Sequence, residues 1–144
     1  MFKKVIYLFV LITSMGLTAC SNGNISEDIV AGPFKIPKQD VKLILREEDD
    51  GHCYVAAPIK FECVGDIKSD AEYIDFEMAL CDEDGTEMAL IVGDQSVDRF
   101  KKGAKVTINF STTIGDGMKS KEEWEDIIAR TKTISFINYS AGAF

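Results

Sequence analysis

The sequence predicts a mainly all-β chain: an antiparallel β-sandwich with one short helix near its C-terminus. Three observations predict it. Apolar and polar residues alternate with period two in several runs after Val41. Turns carrying glycine beside acidic or lysine residues separate those runs. One late segment, opening at Ser120, changes to helical spacing behind a capping signature. A length of 144 residues allows a single domain, and 46% hydrophobic with 28% charged residues suits a packed core rather than a disordered chain. The net charge of −8 excludes nucleic acid as a partner, because no basic surface exists to displace counterions from phosphates.

The chain opens as an address. Residues 1–19 place Lys3 and Lys4 before an apolar run from Val5 to Ile12, the order of a secretory signal peptide. That run falls short of the roughly 20 residues a membrane-spanning helix needs. It leads into Leu17-Thr18-Ala19-Cys20, which resembles the bacterial lipobox. The resemblance implies that Cys20 is acylated through its sulfur, becomes the new N-terminus by cleavage, and is acylated again on its amine. The first 19 residues hold two lysines and no carboxylate, so the mature chain is more acidic still. Anionic headgroups repel such a surface, and the acyl chains on Cys20 must provide the membrane attachment. Ser21 is not the aspartate that holds lipoproteins in the inner membrane of enteric bacteria. By the same resemblance the outer membrane is expected, with the periplasmic or surface face left open.

Residues 20–40 read as a lipidated flexible tether, with Ser, Asn, Gly, Pro33 and Pro37 and no periodicity. Residues 41–144 read as the folded domain. Val41, Leu43 and Leu45 open the first strand, although Ile44 interrupts the alternation. Ile59, Phe61 and Cys63 alternate with Lys60 and Glu62 in the second. Ile74, Phe76, Met78 and Leu80 form the third, with Asp75 and Glu77 on its outer face. The turn Asp82-Glu83-Asp84-Gly85 follows, its glycine suited to the positive φ of a bulged hairpin. Lys101-Lys102-Gly103 serves the same purpose before the strand Ala104–Ser111. Strands polar on one side indicate antiparallel pairing, since parallel strands are apolar throughout. Ser120 and Glu123 make a capping box for a helix over 121–130, with Trp124, Ile127 and Ile128 on one face and Arg130 at the end favoured by the helix dipole. That helix is too short to stand alone, so Trp124 should cover an open end of the core. A last strand spans 133–139.

The stretch from Phe61 to Ser111 is similar to the FxLYD-type immunoglobulin-like domains of bacterial surface proteins. Met78-Ala79-Leu80-Cys81-Asp82 stands where Phe-x-Leu-Tyr-Asp would, followed by the acidic-glycine turn, and Phe100-Lys101-Lys102-Gly103 stands at the later turn. Met78 and Cys81 replace the Phe and Tyr of the motif. The resemblance covers about a third of the chain and implies an immunoglobulin-like sandwich and a non-catalytic module. It assigns no functional residue.

The remaining chemistry-bearing residues are few. With Cys20 lipidated, Cys53, Cys63 and Cys81 are left in an oxidising compartment, an odd number that permits at most one intramolecular disulfide. Residues 53 and 63 on one strand stand roughly 33 Å apart, too far to bridge. If a loop at 65–70 makes a hairpin of this strand and 73–81, Cys53 falls near Cys81, on the same face if a bulge occurs at Ala57-Pro58. Two arrangements stay open: three buried thiols, or a Cys53–Cys81 disulfide. No Cys-x-x-Cys spacing suggests zinc, and the single histidine, His52, stands beside Asp49-Asp50-Gly51 without a nucleophile elbow near it. Asp82 and Asp84 are the candidate cation ligands, of the hard-oxygen type calcium prefers, although the turn lacks the further ligands of an EF-hand loop and reads first as solvated carboxylates. The expected function is a membrane-anchored, non-catalytic binding or assembly module in the bacterial cell envelope that engages another envelope protein. A calcium-stabilised adhesive or glycan-binding domain is the first alternative and a small envelope enzyme the second.

Overall fold

A computed structural model describes residues 20–21, 25–67, 70–113 and 119–140. The described strands are β1 (Cys20–Ser21), β2 (Ile29–Ala31), β3 (Phe34–Ile36), β4 (Leu43–Glu47), β5 (Cys53–Cys63), β6 (Tyr73–Cys81), β7 (Glu87–Ser96), β8 (Lys105–Thr112) and β9 (Thr133–Ser140), with one α-helix, α1 (Lys121–Arg130), between β8 and β9. All pairings are antiparallel and the strands run in the order β1-β4-β5-β8-β7-β6-β9, with β3 joining β5 beyond the end of β4 and β2 pairing β3. The expected mainly-β antiparallel fold with one short C-terminal helix is therefore present. The sheet folds over on itself into an almost closed, sandwich-like barrel.

One layer is built on β5, whose burial alternates without interruption from Cys53 to Cys63. β8 pairs along one side from Ala56 to Glu62, and β4, an isolated Val41–Ile59 bridge and β3 share the other. The β4 ladder breaks where Lys42 falls opposite Pro58 in register, as expected for a residue with no N–H to donate. The second layer is β7-β6-β9. Only two rungs join the layers at the β7–β8 corner, Ile91–Thr112 and Val92–Ser111. Immediately beyond them, a Cβ on Gly93 would lie 3.0 Å from the Phe110 ring and 3.2 Å from the Asn109 carbonyl oxygen. β7 crosses β8 at that point because glycine permits the close approach.

Between the layers lie the inner sets of both. Ile74, Phe76, Met78 and Leu80 of β6 face Ile59 and Phe61 of β5, all at most 2% exposed. Phe34, Phe61, Phe76, Phe100, Phe110 and Phe136 form one aromatic cluster, in which the rings of Phe61 and Phe76 meet across the layers at 5.1 Å in an edge-to-face arrangement. At one end α1 closes the core. Its capping box is formed as expected, with Ser120 Oγ accepting from the Glu123 N–H and Glu123 Oε1 accepting from the Ser120 N–H. Trp124 is fully buried, and its indole N–H donates to the Cys53 carbonyl oxygen at 3.0 Å, fixing the helix to the start of β5.

Two expectations need correction, and one open alternative is resolved. Residues 25–40 are not tether. Ile25, Ile29, Phe34 and Ile36 are buried in the core, and β2 and β3 form a hairpin closed by Ala31–Phe34 around Gly32-Pro33. Gly32 has φ +57°, at the first turn position, where a type II′ hairpin favours glycine. The segment that punctuates like a linker is a hairpin turn with an apolar face. Secondly, β5 and β6 do not pair; the chain between them crosses from one layer to the other. Of the two arrangements left open for the cysteines, the structure has the three buried thiols: Cys53, Cys63 and Cys81 are all free and buried. β5 shows no bulge at Ala57-Pro58, and Cys53 faces the core while Cys81, next to inward-facing Leu80, lies on the other face of β6. A disulfide would have to pass through the sheet.

Candidate functional site

A groove of about 570 Å³ opens on the outer face of the second layer. It is lined by Asp75 and Glu77 from β6, Val92, Gly93 and Asp94 from β7, Asn109 from β8 and Asn138 from β9. Register assembles it. Asp75 pairs with Asp94, and Glu77 pairs with Val92 on one side and Asn138 on the other. Gly93 lines the groove at the crossing, where β7 and β8 approach too closely for a Cβ. Val92 is 38% exposed and gives the groove an apolar centre.

The electrostatics are one-sided. Asp75 and Asp94 stand directly opposite each other, a like-charge pair that destabilises a ladder. No basic side chain lines the groove among the described residues. The two asparagines supply amide donors as well as acceptors. Such a surface accepts hydrogen bonds and attracts cations; it contains neither a nucleophile nor a histidine.

The sequence-derived candidates lie elsewhere. Asp82 heads the β6–β7 turn, where its Oδ1 accepts the N–H groups of Asp84 and Thr86 at 2.9 and 3.0 Å, and Arg130 Nη2 approaches Oδ2 at 3.5 Å. The Thr86 and Asp84 amides and the Arg130 guanidinium hold its carboxyl below the ordinary carboxylate value. Its oxygens brace the loop and already face a positive charge. Asp84 is exposed beside it, and among the described residues no group of three or more carboxylate, histidine or cysteine side chains converges as a metal site. Gly85 has φ +81° and the ladder shifts register between Leu80 and Cys81, so this is the bulged turn that its residues suggest.

His52 is partly exposed beside the 48–51 turn, where its own N–H donates to Asp50 Oδ1. Cys53 begins the next strand with its Sγ directed at the Gly51 carbonyl oxygen. Burial pushes the Cys53, Cys63 and Cys81 thiols up from their ordinary value, which leaves them protonated and poor nucleophiles. Of Cys20 only the backbone is described, on a rung with Ile44; Leu17, Thr18 and Ala19 of the lipobox lie outside the described residues.

Asp75 and Glu77 were legible as outward-facing positions, but their grouping with Asp94, Asn109 and Asn138 was not. That grouping depends on which strands become neighbours, and β7 and β9 flank β6 from opposite directions in the sequence. No known protein-family model matches the chain, and no curated protein or solved structure shows significant similarity to it.

Proposed function

We propose that this chain is a lipid-anchored bacterial envelope lipoprotein, acylated on Cys20, whose sandwich domain is a non-catalytic binding module for another envelope protein. The observation that carries the binding role is the groove at the β7–β8 crossing, with its opposed Asp75–Asp94 pair left without a cation among the residues that line it. Repulsion between carboxylates at such a position is relieved when a partner brings in lysine or arginine, so binding recovers a stability that the free fold lacks. A half-exposed valine between carboxylates and amides suits a partner with a small apolar contact ringed by basic side chains. The FxLYD-like features of Met78–Asp82 and Phe100–Gly103 agree with a non-catalytic module, as do thiols held protonated by burial.

The test is capture of partners by crosslinking in intact envelopes. Replacing Asp75, Glu77 and Asp94 together by lysine should abolish the crosslinked species, while Lys101→Glu with Lys102→Glu, on a turn that does not line the groove, should leave it. The neutral set Asp75→Asn, Glu77→Gln, Asp94→Asn should weaken capture and remove most of its salt dependence. Undiminished capture by a folded lysine variant would exclude the groove as the binding surface.

A further inference from the structure

The fold begins at Ile25, and this changes what a lipid on Cys20 would do. Ile25 is buried, the Ser26 N–H donates to the Lys132 carbonyl oxygen at 2.9 Å, and the Ser26 hydroxyl lies 3.2 Å from the same oxygen. Four residues, 21–24, separate Cys20 from Ile25. Fully extended, that connection spans at most about 17 Å, against roughly 70 Å for a tether of twenty residues. The Cys20–Ser21 backbone is itself paired with β4, which shortens the free chain further.

Both attachments lie toward the same end of the sandwich. β4 runs toward Glu47, which pairs with Cys53 where α1 caps the core. β1 is antiparallel to β4, so Cys20 sits nearer that end than Ser21. Lys132, the partner of Ser26, follows α1, and its N–H donates to the carbonyl oxygen of Cys81, the last residue of β6. The 48–51 turn and the Asp82–Gly85 turn share this end. The Lys101–Gly103 turn hydrogen-bonds Cys63 at the opposite end of β5, about 33 Å away along eleven residues of strand.

We infer that the helix-capped end of the domain rests against the lipid headgroups of the membrane that carries its acyl chains, with the Lys101–Gly103 turn pointing away. This rests on the acylation of Cys20 proposed above. The occupant of this end is the bilayer surface, and chain length alone imposes the contact. The end is acidic, with Glu48, Asp49, Asp50, Glu83 and Asp84 in its two turns, so attraction to anionic lipid contributes nothing. The Asp75–Asp94 pair lies six residues from the end of β6, about 20 Å from the helix-capped end, and stays accessible to a partner reaching in from the aqueous side.

Energy transfer to headgroup acceptors tests this with the full lipoprotein in phosphatidylcholine vesicles. A donor is placed on Asp49→Cys or Lys102→Cys, both exposed, while the native thiols are buried. Transfer from position 49 should be several-fold stronger than from position 102, at low and high salt alike. Inserting twenty Gly/Ser residues after Ser21 should make the two equal. Equal transfer in the uninserted, acylated protein would overturn the inference and leave the lipoprotein reading standing. A mass without acyl chains would remove both. A difference that survives the insertion would show that something other than the short connection sets the orientation, and would overturn the inference as stated.

Discussion

Phe34→Ala is the perturbation that separates a domain beginning at residue 25 from one beginning at residue 41. Phe34 is fully buried, and its ring lies 5.3 Å from Phe76, 5.3 Å from Phe100 and 5.7 Å from Phe61, each edge-to-face. Removing a buried phenylalanine side chain costs about 3–5 kcal/mol, and favourable aromatic pairs add about 0.5–1.5 kcal/mol each beyond area burial. With three such pairs lost, the cost belongs at the upper end, about 4–5 kcal/mol. That is a large part of the stability of a domain this size. Lys35→Ala, one residue on, removes only a partly exposed 3.8 Å ion pair with Asp28 and should cost less than about 1 kcal/mol. Urea unfolding of the chain lacking residues 1–19 and carrying Cys20→Ser would measure both. A Phe34→Ala midpoint equal to the parent's would mean that residues 25–40 are dispensable to the core, and the short-connection argument would fail with it.

Two further outcomes are expected of the same chain. Phe76→Ala should cost about 3–5 kcal/mol, because Phe76 lies at the meeting of the layers, whereas Glu77→Ala on the outer face should stay near 0.5 kcal/mol in urea unfolding; equal losses at the two would mean that β6 does not alternate between core and solvent. Asp82 has its carboxyl held low in the fold by the Thr86 and Asp84 amides and by Arg130, so the stability its charge contributes is present above the ordinary carboxylate range and is lost as pH falls through the lowered value. The stability difference between the parent and Asp82→Asn, followed by unfolding midpoints from pH 7 to pH 3, should shrink on acidification; a difference that grows would reverse the sign of the argument.

The parts of this fold that were legible in the sequence are those fixed by neighbouring residues. The β6 alternation, the glycine turns at 85 and 103, and the capping box of α1 each depend on side chains within four positions of one another. The β2–β3 hairpin was equally local but was hidden. Gly32-Pro33 and Pro37 read as linker punctuation, although Phe34 and Ile36 on either side of Lys35 already show a strand's alternation. Pairing partners were less accessible. A short loop between β5 and β6 suggested a hairpin, and the false Cys53–Cys81 contact followed from that choice. In the structure each strand finds its partners elsewhere, β5 with β8, β4 and β3, and β6 with β7 and β9. The acidic groove needed all of those registers before Asp75 and Asp94 could be placed opposite each other, and no local pattern contains that information.

The central claim, a domain tied closely to a membrane through Cys20, is tested most directly by the intact mass of the protein recovered from the membrane fraction. The expected mass is that of a chain beginning at residue 20 with a diacylglyceryl group on its sulfur and a fatty acyl group on its amine. Cys20→Ala should retain residues 1–19, carry no lipid and lose that mass altogether. A Cys20→Ala protein that still partitions into detergent at the mature parental mass would contradict the claim.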